Sequence, residues 1–209
     1  MKKILITDDH PSIRMGVKLI LNNEFSEVEF GEASNGKEAL KLLREKKWDI
    51  MILDIDMPGR NGLEVLTQIK DENIKVPVLI FSMHAEEQLA VRAMKLGAAG
   101  YLSKDVAGEE LGKAIHVILG GRKYITLSLA EKLVNQLENP SDKAPHELLS
   151  DREYQTFLLI AKGRSVSLIA DELSLSVPTV STYRARILEK MGIKTNAEIV
   201  SYAIRGKLI

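Results

Sequence analysis

The chain of 209 residues has no cysteine, one tryptophan, six prolines and only 5% aromatic residues. Without cysteine there are no disulfides and no thiolate metal centres, which fits a reducing compartment. Nowhere does the sequence approach the roughly 18–20 consecutive apolar residues that span a bilayer. The opening MKKILIT has four apolar residues before Asp8-Asp9, too few for a secretory leader. The expectation is a cytoplasmic protein with no membrane partner. Net charge is also lacking, because 29 Lys/Arg balance 29 Asp/Glu. The balance is uneven along the chain: residues 1–120 hold 16 basic against 19 acidic residues, and residues 121–209 hold 13 against 10. A weakly acidic front and a weakly basic back suggest that any anionic partner meets the back.

What is present is organised around DIMILDIDMPGRNG, residues 49–62. Ile50, Met51, Ile52 and Leu53 form a short apolar run that reads as a strand buried on both faces. It ends on Asp54, and Met57-Pro58-Gly59 forces a turn. Similar runs at 3–7, 27–33, 76–82 and 99–102 alternate with helical patterns at about 11–22, 37–46, 62–70, 86–96 and 108–119. Strand-helix alternation repeated five times predicts an α/β fold, a doubly wound five-stranded parallel sheet. Gly120-Gly121 breaks the pattern. Residues 126–138 read as an amphipathic helix with Leu129, Leu133, Val134 and Leu137 apolar, and ENPSDKAPHE reads as a linker. Beyond it lie short helices only, at about 151–162, 166–173, 177–191 and 195–205. The expected organisation is a first domain over 1–120, a linker with a helix over 121–147, and a small all-α domain over 148–209.

Ligands of open parallel sheets bind outside the carboxyl ends of the strands. There the sequence places Asp8, Asp9, Asp54, Ser82 and Lys104. Three carboxylates at one edge repel one another and call for a cation; an all-oxygen set with few protein ligands suits Mg²⁺. With the charge neutralised, Asp54 can act as a nucleophile toward phosphorus, with Lys104 against the phosphoryl oxygens and the Ser82 hydroxyl following them. An alternative is Asp54-x-Asp56 as the nucleophile motif of haloacid-dehalogenase-type phosphatases. Pro58 and the lack of a second downstream acidic cluster count against it.

These positions resemble a known family. Asp8-Asp9, Asp54-x-x-Met57-Pro58-Gly59-x-x-Gly62, Ser82 and Tyr101-x-x-Lys104 resemble the receiver domain of two-component response regulators, which is flavodoxin-like. The resemblance implies that Asp54 accepts phosphate from a sensor histidine kinase. It implies Mg²⁺ held by Asp9, Asp54 and the backbone carbonyl of Asp56, with Asp8 acting through water. It makes Ser82 and Tyr101 a switch pair and Lys104 the phosphoryl contact. Asp105 stands where many receivers have proline.

In the back half, Leu168 to Val180 reads as helix, tight turn and second helix, with Ser176 as N-cap and Pro178 in the first turn. On the second helix Val180, Tyr183, Ile187, Leu188 and Met191 share one face. Pro178, Thr182, Ala185, Arg186 and Glu189 lie opposite, flanked by Thr179, Ser181 and Lys190. Such a polar face can enter a DNA major groove. Leu149-Ser150-x-Arg152-Glu153, Ala161-x-Gly163 and Tyr183-Arg184-x-Arg186-Ile187-Leu188-x-Lys190-Met191-Gly192 look like the LuxR-type helix-turn-helix. Joined to a receiver, this resembles the NarL/FixJ response regulators. The resemblance implies a transcription regulator of promoter DNA. Its candidate contacts are Thr179, Ser181, Thr182, Arg184, Ala185, Arg186 and Lys190, with a phosphate or intramolecular contact expected for Arg184. Family members often carry lysine at the positions of Ser181 and Ala185, which leaves base preference open.

Phosphorylation is expected to draw Ser82 and Tyr101 inward, remodel the face of helix four, strand five and helix five, and free or dimerise the DNA-binding module. The last helix can pair two copies as a homodimer. The chain is not a turnover enzyme, although autodephosphorylation is expected. Two other readings are a constitutive DNA-binding protein with a vestigial receiver and an adaptor with no DNA role. His10, His84, His116 and His146 are read as neither ligands nor catalysts.

Overall fold

The computed structural model describes residues 1–83, 87–138, 144–206 and 208–209; His84 and residues 139–143 of the expected linker lie outside the described residues. The chain divides into two compact units, Met1–Asn135 and Gln136–Ile209.

In the first unit the strands are β1 (Lys2–Thr7), β2 (Val28–Ala33), β3 (Ile50–Leu53), β4 (Val78–Ser82) and β5 (Gly100–Ser103). They form one sheet in the order β2-β1-β3-β4-β5, with every pairing parallel. This is the doubly wound order whose switch point lies between β1 and β3. The intervening helices are α1 (Pro11–Glu24), α2 (Gly36–Glu45), α3 (Gly62–Asp71), α4 (Glu87–Lys95) and α5 (Ala107–Leu119). Side chains alternate across the sheet. Ile4, Ile6, Ile50, Ile52, Leu79 and Phe81 pack with Val17 and Leu21 of α1 and with Leu111, Ile115 and Ile118 of α5. Leu5, Met51, Leu53 and Ile80 point the other way and are equally buried. Both faces are covered, so the strands read as continuous apolar runs.

Helix α6 (Leu127–Glu138) has Leu129 buried, whereas Val134 is 51% exposed. Within the stretch read as a linker, Pro145–Leu148 forms a 3-10 turn that buries His146. The second unit then continues as α7 (Asp151–Ala161), α8 (Val166–Glu172), α9 (Val177–Met191) and α10 (Asn196–Arg205). Each of these helices starts on a hydroxyl side chain that accepts from the third backbone N–H: Ser150, Ser165, Ser176 and Thr195. Tyr154, Phe157, Ile169, Val180, Ile187, Ile199 and Ala203 form the core of the unit. Among the described residues no helix is long and apolar enough to cross a membrane.

Candidate functional site

The ends of β1 and β3 are adjacent because Thr7 pairs with Leu53, and the Asp54 N–H donates to the Thr7 carbonyl. This register places Asp8 and Asp54 side by side, 1% and 2% exposed. The loop after Asp54 folds back so closely that a Cβ on Gly62 would collide with the Asp54 carbonyl oxygen. Gly59 takes φ +75, a conformation side chains disfavour. The turn is locked by a capping box at the start of α3, where Glu64 N–H donates to Asn61 Oδ1 at 2.8 Å and Asn61 N–H to Glu64 Oε2 at 3.0 Å. The two glycines and the asparagine therefore aim Asp54.

From the end of β5, Lys104 reaches across with Nζ 2.6 Å from Asp8 Oδ2 and 2.9 Å from Asp54 Oδ2. The other Asp54 oxygen, Oδ1, accepts the Ile55 N–H at 2.8 Å. One ammonium faces two buried carboxylates, so one negative charge is left over when both are ionised. Burial pushes the Asp54 carboxyl up to about 7; Lys104 pulls it down and Asp8 pushes it further up. For Lys104, burial disfavours the charged form, but Asp54 and Asp8 together outweigh burial and hold its pKa above the ordinary value.

Asp9 is half-buried, and ligand atoms of Asp8, Asp9, His10 and Asp54 all lie within 4.8 Å of one another. Three carboxylates converging in this way form a hard oxygen donor set that fits Mg²⁺. Asp56 lies on the same loop and is half-buried. Ser82 and Tyr101 end β4 and lie in β5, 0% and 7% exposed.

Sequence reasoning passed over two neighbours. His10 reads from sequence as no ligand, yet its Nδ1 lies 2.8 Å from Asp9 Oδ1 and 3.3 Å from Asp8 Oδ1. Arg14 donates from a terminal nitrogen to the Asp8 carbonyl at 2.7 Å and from Nε to Glu32 at 2.9 Å, which ties α1 to the acidic turn. Neither shows a periodic signal; the only cue was closeness in sequence to Asp8-Asp9.

In the second unit α9 exposes Val177, Pro178, Ser181, Thr182, Ala185, Arg186 and Glu189, while Thr179 is half-buried. Two of the candidate contacts are engaged inside the unit. Arg184 donates from Nε to Asn196 Oδ1 at 2.6 Å. Lys190 places Nζ 2.6 Å from Oε2 of buried Glu153. Glu153 also completes the capping box of α7 with Ser150. Burial alone would push the Glu153 carboxyl up, but Lys190 and the Ser150 donors outweigh it and hold the pKa below the ordinary range.

An acid cluster with a lysine at the carboxyl edge of a parallel sheet, followed by a helix-turn-helix unit, defines a signalling receiver joined to a DNA-binding module. Residues 4–116 match the response regulator receiver domain family, and residues 147–203 match the luxR family of bacterial regulatory proteins. The chain is 36% identical over 209 residues to response regulator UvrY of Escherichia coli, covering 100% of this chain and 96% of that one. It is 35% identical over 210 residues to response regulator GacA of Pseudomonas aeruginosa, covering 100% and 98%. Among solved structures, RcsB from Salmonella enterica serovar Typhimurium, bound to a promoter in the presence of a phosphomimetic, superposes with TM-score 0.66 at 22% identity, covering 96% of this chain and 97% of that one. ChrA, the response regulator of a heme-sensing two-component system, gives TM-score 0.52 at 28% identity, covering 99% and 98%. The chain belongs to the NarL/FixJ family of response regulators, transcription regulators that pair a receiver with a LuxR-type helix-turn-helix.

Proposed function

We propose that Asp54 is the phosphoacceptor of this response regulator and that its phosphorylation controls DNA binding by the second unit. The observation that supports this is the buried Asp54 carboxylate, held beside Asp8 and facing Lys104 at 2.9 Å. Nothing in a purely structural role calls for two buried carboxylates sharing one ammonium at a sheet edge.

The phosphodonor is a phosphorylated histidine of a sensor kinase. Asp54 Oδ2 attacks phosphorus, the P–O bond forms as the P–N bond breaks, and the electron pair leaves with the kinase imidazole, which takes up a proton. Ile55 N–H keeps Asp54 Oδ1 oriented during the attack. Lys104 moves from the carboxylates to the incoming phosphoryl oxygens, where its charge is opposed by new negative charge. Asp8, Asp9, Asp54 and the Asp56 carbonyl would hold Mg²⁺, which when bound supplies charge neutralisation on the phosphoryl group. The Ser82 hydroxyl donates to a phosphoryl oxygen, and Tyr101 packs beside it. Water attack on the acyl phosphate gives slow autodephosphorylation. The readout is DNA binding by a homodimer through α9 in the major groove, with Thr179, Ser181, Thr182, Ala185 and Arg186 facing it, in the cytoplasm. Lys190 and Arg184 serve inside the unit.

Intact mass after incubation with acetyl phosphate and Mg²⁺ tests this. Wild type should gain roughly 80 Da, the mass of one phosphoryl group, and Asp54→Asn should gain nothing. An adduct on Asp54→Asn, or none on folded wild type, would overturn the assignment.

A further inference from the structure

The outward face of α9 has few of the groups that usually read bases. Direct readout in the major groove relies mostly on long bidentate donors: arginine or lysine on guanine, asparagine or glutamine on adenine. Here Arg184 is bonded to Asn196 and Lys190 to Glu153. Arg186 alone is an exposed long donor on α9 with no such partner among the described residues.

Small groups occupy the rest of the face. Thr182 and Ala185 are three residues apart, adjacent on one side of the helix, and both are exposed. The Thr182 hydroxyl donates to the Pro178 carbonyl at 3.0 Å. Its proton is thus committed to the helix, and the γ-methyl is what remains to offer a partner. Ala185 offers only its β-methyl. Toward the N-terminal end, where recognition helices touch base edges, the exposed Pro178, four residues before Thr182, extends the same apolar strip. The groove's one apolar marker is the C5-methyl of thymine, and alanine and the threonine methyl are its natural contacts.

We propose that α9 reads thymine C5-methyl groups, with Thr182 and Ala185 as the specificity-determining residues. The proposal rests on the DNA-binding reading above and deepens it. The half-site it selects carries thymines where these methyls meet the groove, and Arg186 supplies the donor contact beside them.

The probe is a duplex selected by the full-length chain, with acetyl phosphate and Mg²⁺, from a pool of random sequences. Each thymine of that duplex is then replaced in turn by deoxyuridine, which lacks only the methyl. Wild type should bind about fourfold more weakly for each contacted methyl removed, the change expected for one buried methyl-sized group. Thr182→Ser keeps the hydroxyl and loses the methyl; it should become indifferent to deoxyuridine at one position per half-site, with an unchanged salt dependence. Equal affinity of wild type for thymine and deoxyuridine duplexes would overturn the proposal. So would a Thr182→Ser variant that keeps the full wild-type discrimination at every position. A pool that yields no enriched duplex would overturn the DNA-binding reading itself and the proposal with it.

Discussion

The two units of this chain use charge in opposite ways. In the first, two carboxylates and an ammonium are buried at a sheet edge with one negative charge in excess. In the second, two of the basic groups of α9 are held internally, Lys190 by the charge of Glu153 and Arg184 by a hydrogen bond to the Asn196 amide, and Arg186 stands among small exposed groups. A buried, imbalanced site is unstable until a ligand completes it, so binding there is linked to folding free energy and to conformation. A helix fixed by such internal contacts is preformed and needs no ligand to hold its shape. The receiver is thus built to be changed by its ligand, and the recognition helix to stay the same while it reads.

The largest test of that contrast is to remove the shared ammonium. Lys104→Met leaves Asp8 and Asp54 buried without a counter-charge, which should cost about 3–5 kcal/mol of stability in EDTA. Urea unfolding with and without Mg²⁺ checks this, and Mg²⁺ should recover a large part of the loss. A variant as stable as wild type in EDTA would mean that the excess charge is not the organising feature of the edge.

Next in size is a pH effect. Asp54 titrates at about 7 in the folded protein against an ordinary 3.8, so between those values the folded state holds a proton that the unfolded state has lost. Stability then falls as pH rises across that window, by about 2–4 kcal/mol in metal-free protein. Asp54→Asn removes the titration, so the variant should gain on wild type as pH rises from 4.5 to 8. Parallel pH profiles for the two proteins would refute the linkage.

The second unit predicts a smaller, divided outcome. Lys190→Met leaves Glu153 buried and unpaired, which should cost about 1–3 kcal/mol, while the slope of log affinity against log salt stays that of wild type. Glu153 is held below its ordinary pKa; its stabilising contribution is present above the unfolded carboxylate value and fades as pH falls through the lowered folded value. Arg186→Ala should do the reverse: stability unchanged, and the salt slope reduced by about 1. If Lys190→Met lowered the slope as Arg186→Ala does, Lys190 would be a phosphate contact after all.

This split also marks what the amino-acid sequence could reveal. Apolar runs closed by acids give the strands: Ile50–Leu53 appears in the structure with the bounds its hydrophobicity implies. Parallel order then sends every strand end to one edge, which is why Asp8, Asp54, Ser82 and Lys104 could be grouped from sequence. Helical angle, by contrast, tells which side a residue leaves by but not which partner it meets. Lys190 sits at a flank angle that suits phosphate equally well, and only its distance from Glu153 on α7 reveals the partner inside the unit. The Pro145–Leu148 turn was hidden for a related reason. Prolines and mixed charge mimic a linker, while His146 is buried by a contact 56 positions away, Nδ1 to the Tyr202 hydroxyl at 2.7 Å.

The smallest predicted effect concerns the turn between α8 and α9. Ser174 adopts φ +53, one of two non-glycine residues with positive φ among the described residues, the other being Asn73 at +54. Asparagine tolerates this region through its short polar side chain, whereas serine pays about 1 kcal/mol for the crowding of its Cβ. Ser174→Gly removes the strain but gives the unfolded chain more freedom, which takes back about half of the gain. The net expectation is a stabilisation of about 0.5 kcal/mol in urea melts, with DNA affinity unchanged because Ser174 lies outside α9. A loss of affinity without a loss of stability would show that the Ser174 side chain itself meets the phosphate backbone, and the recognition surface would then extend beyond the preformed helix face into the turn.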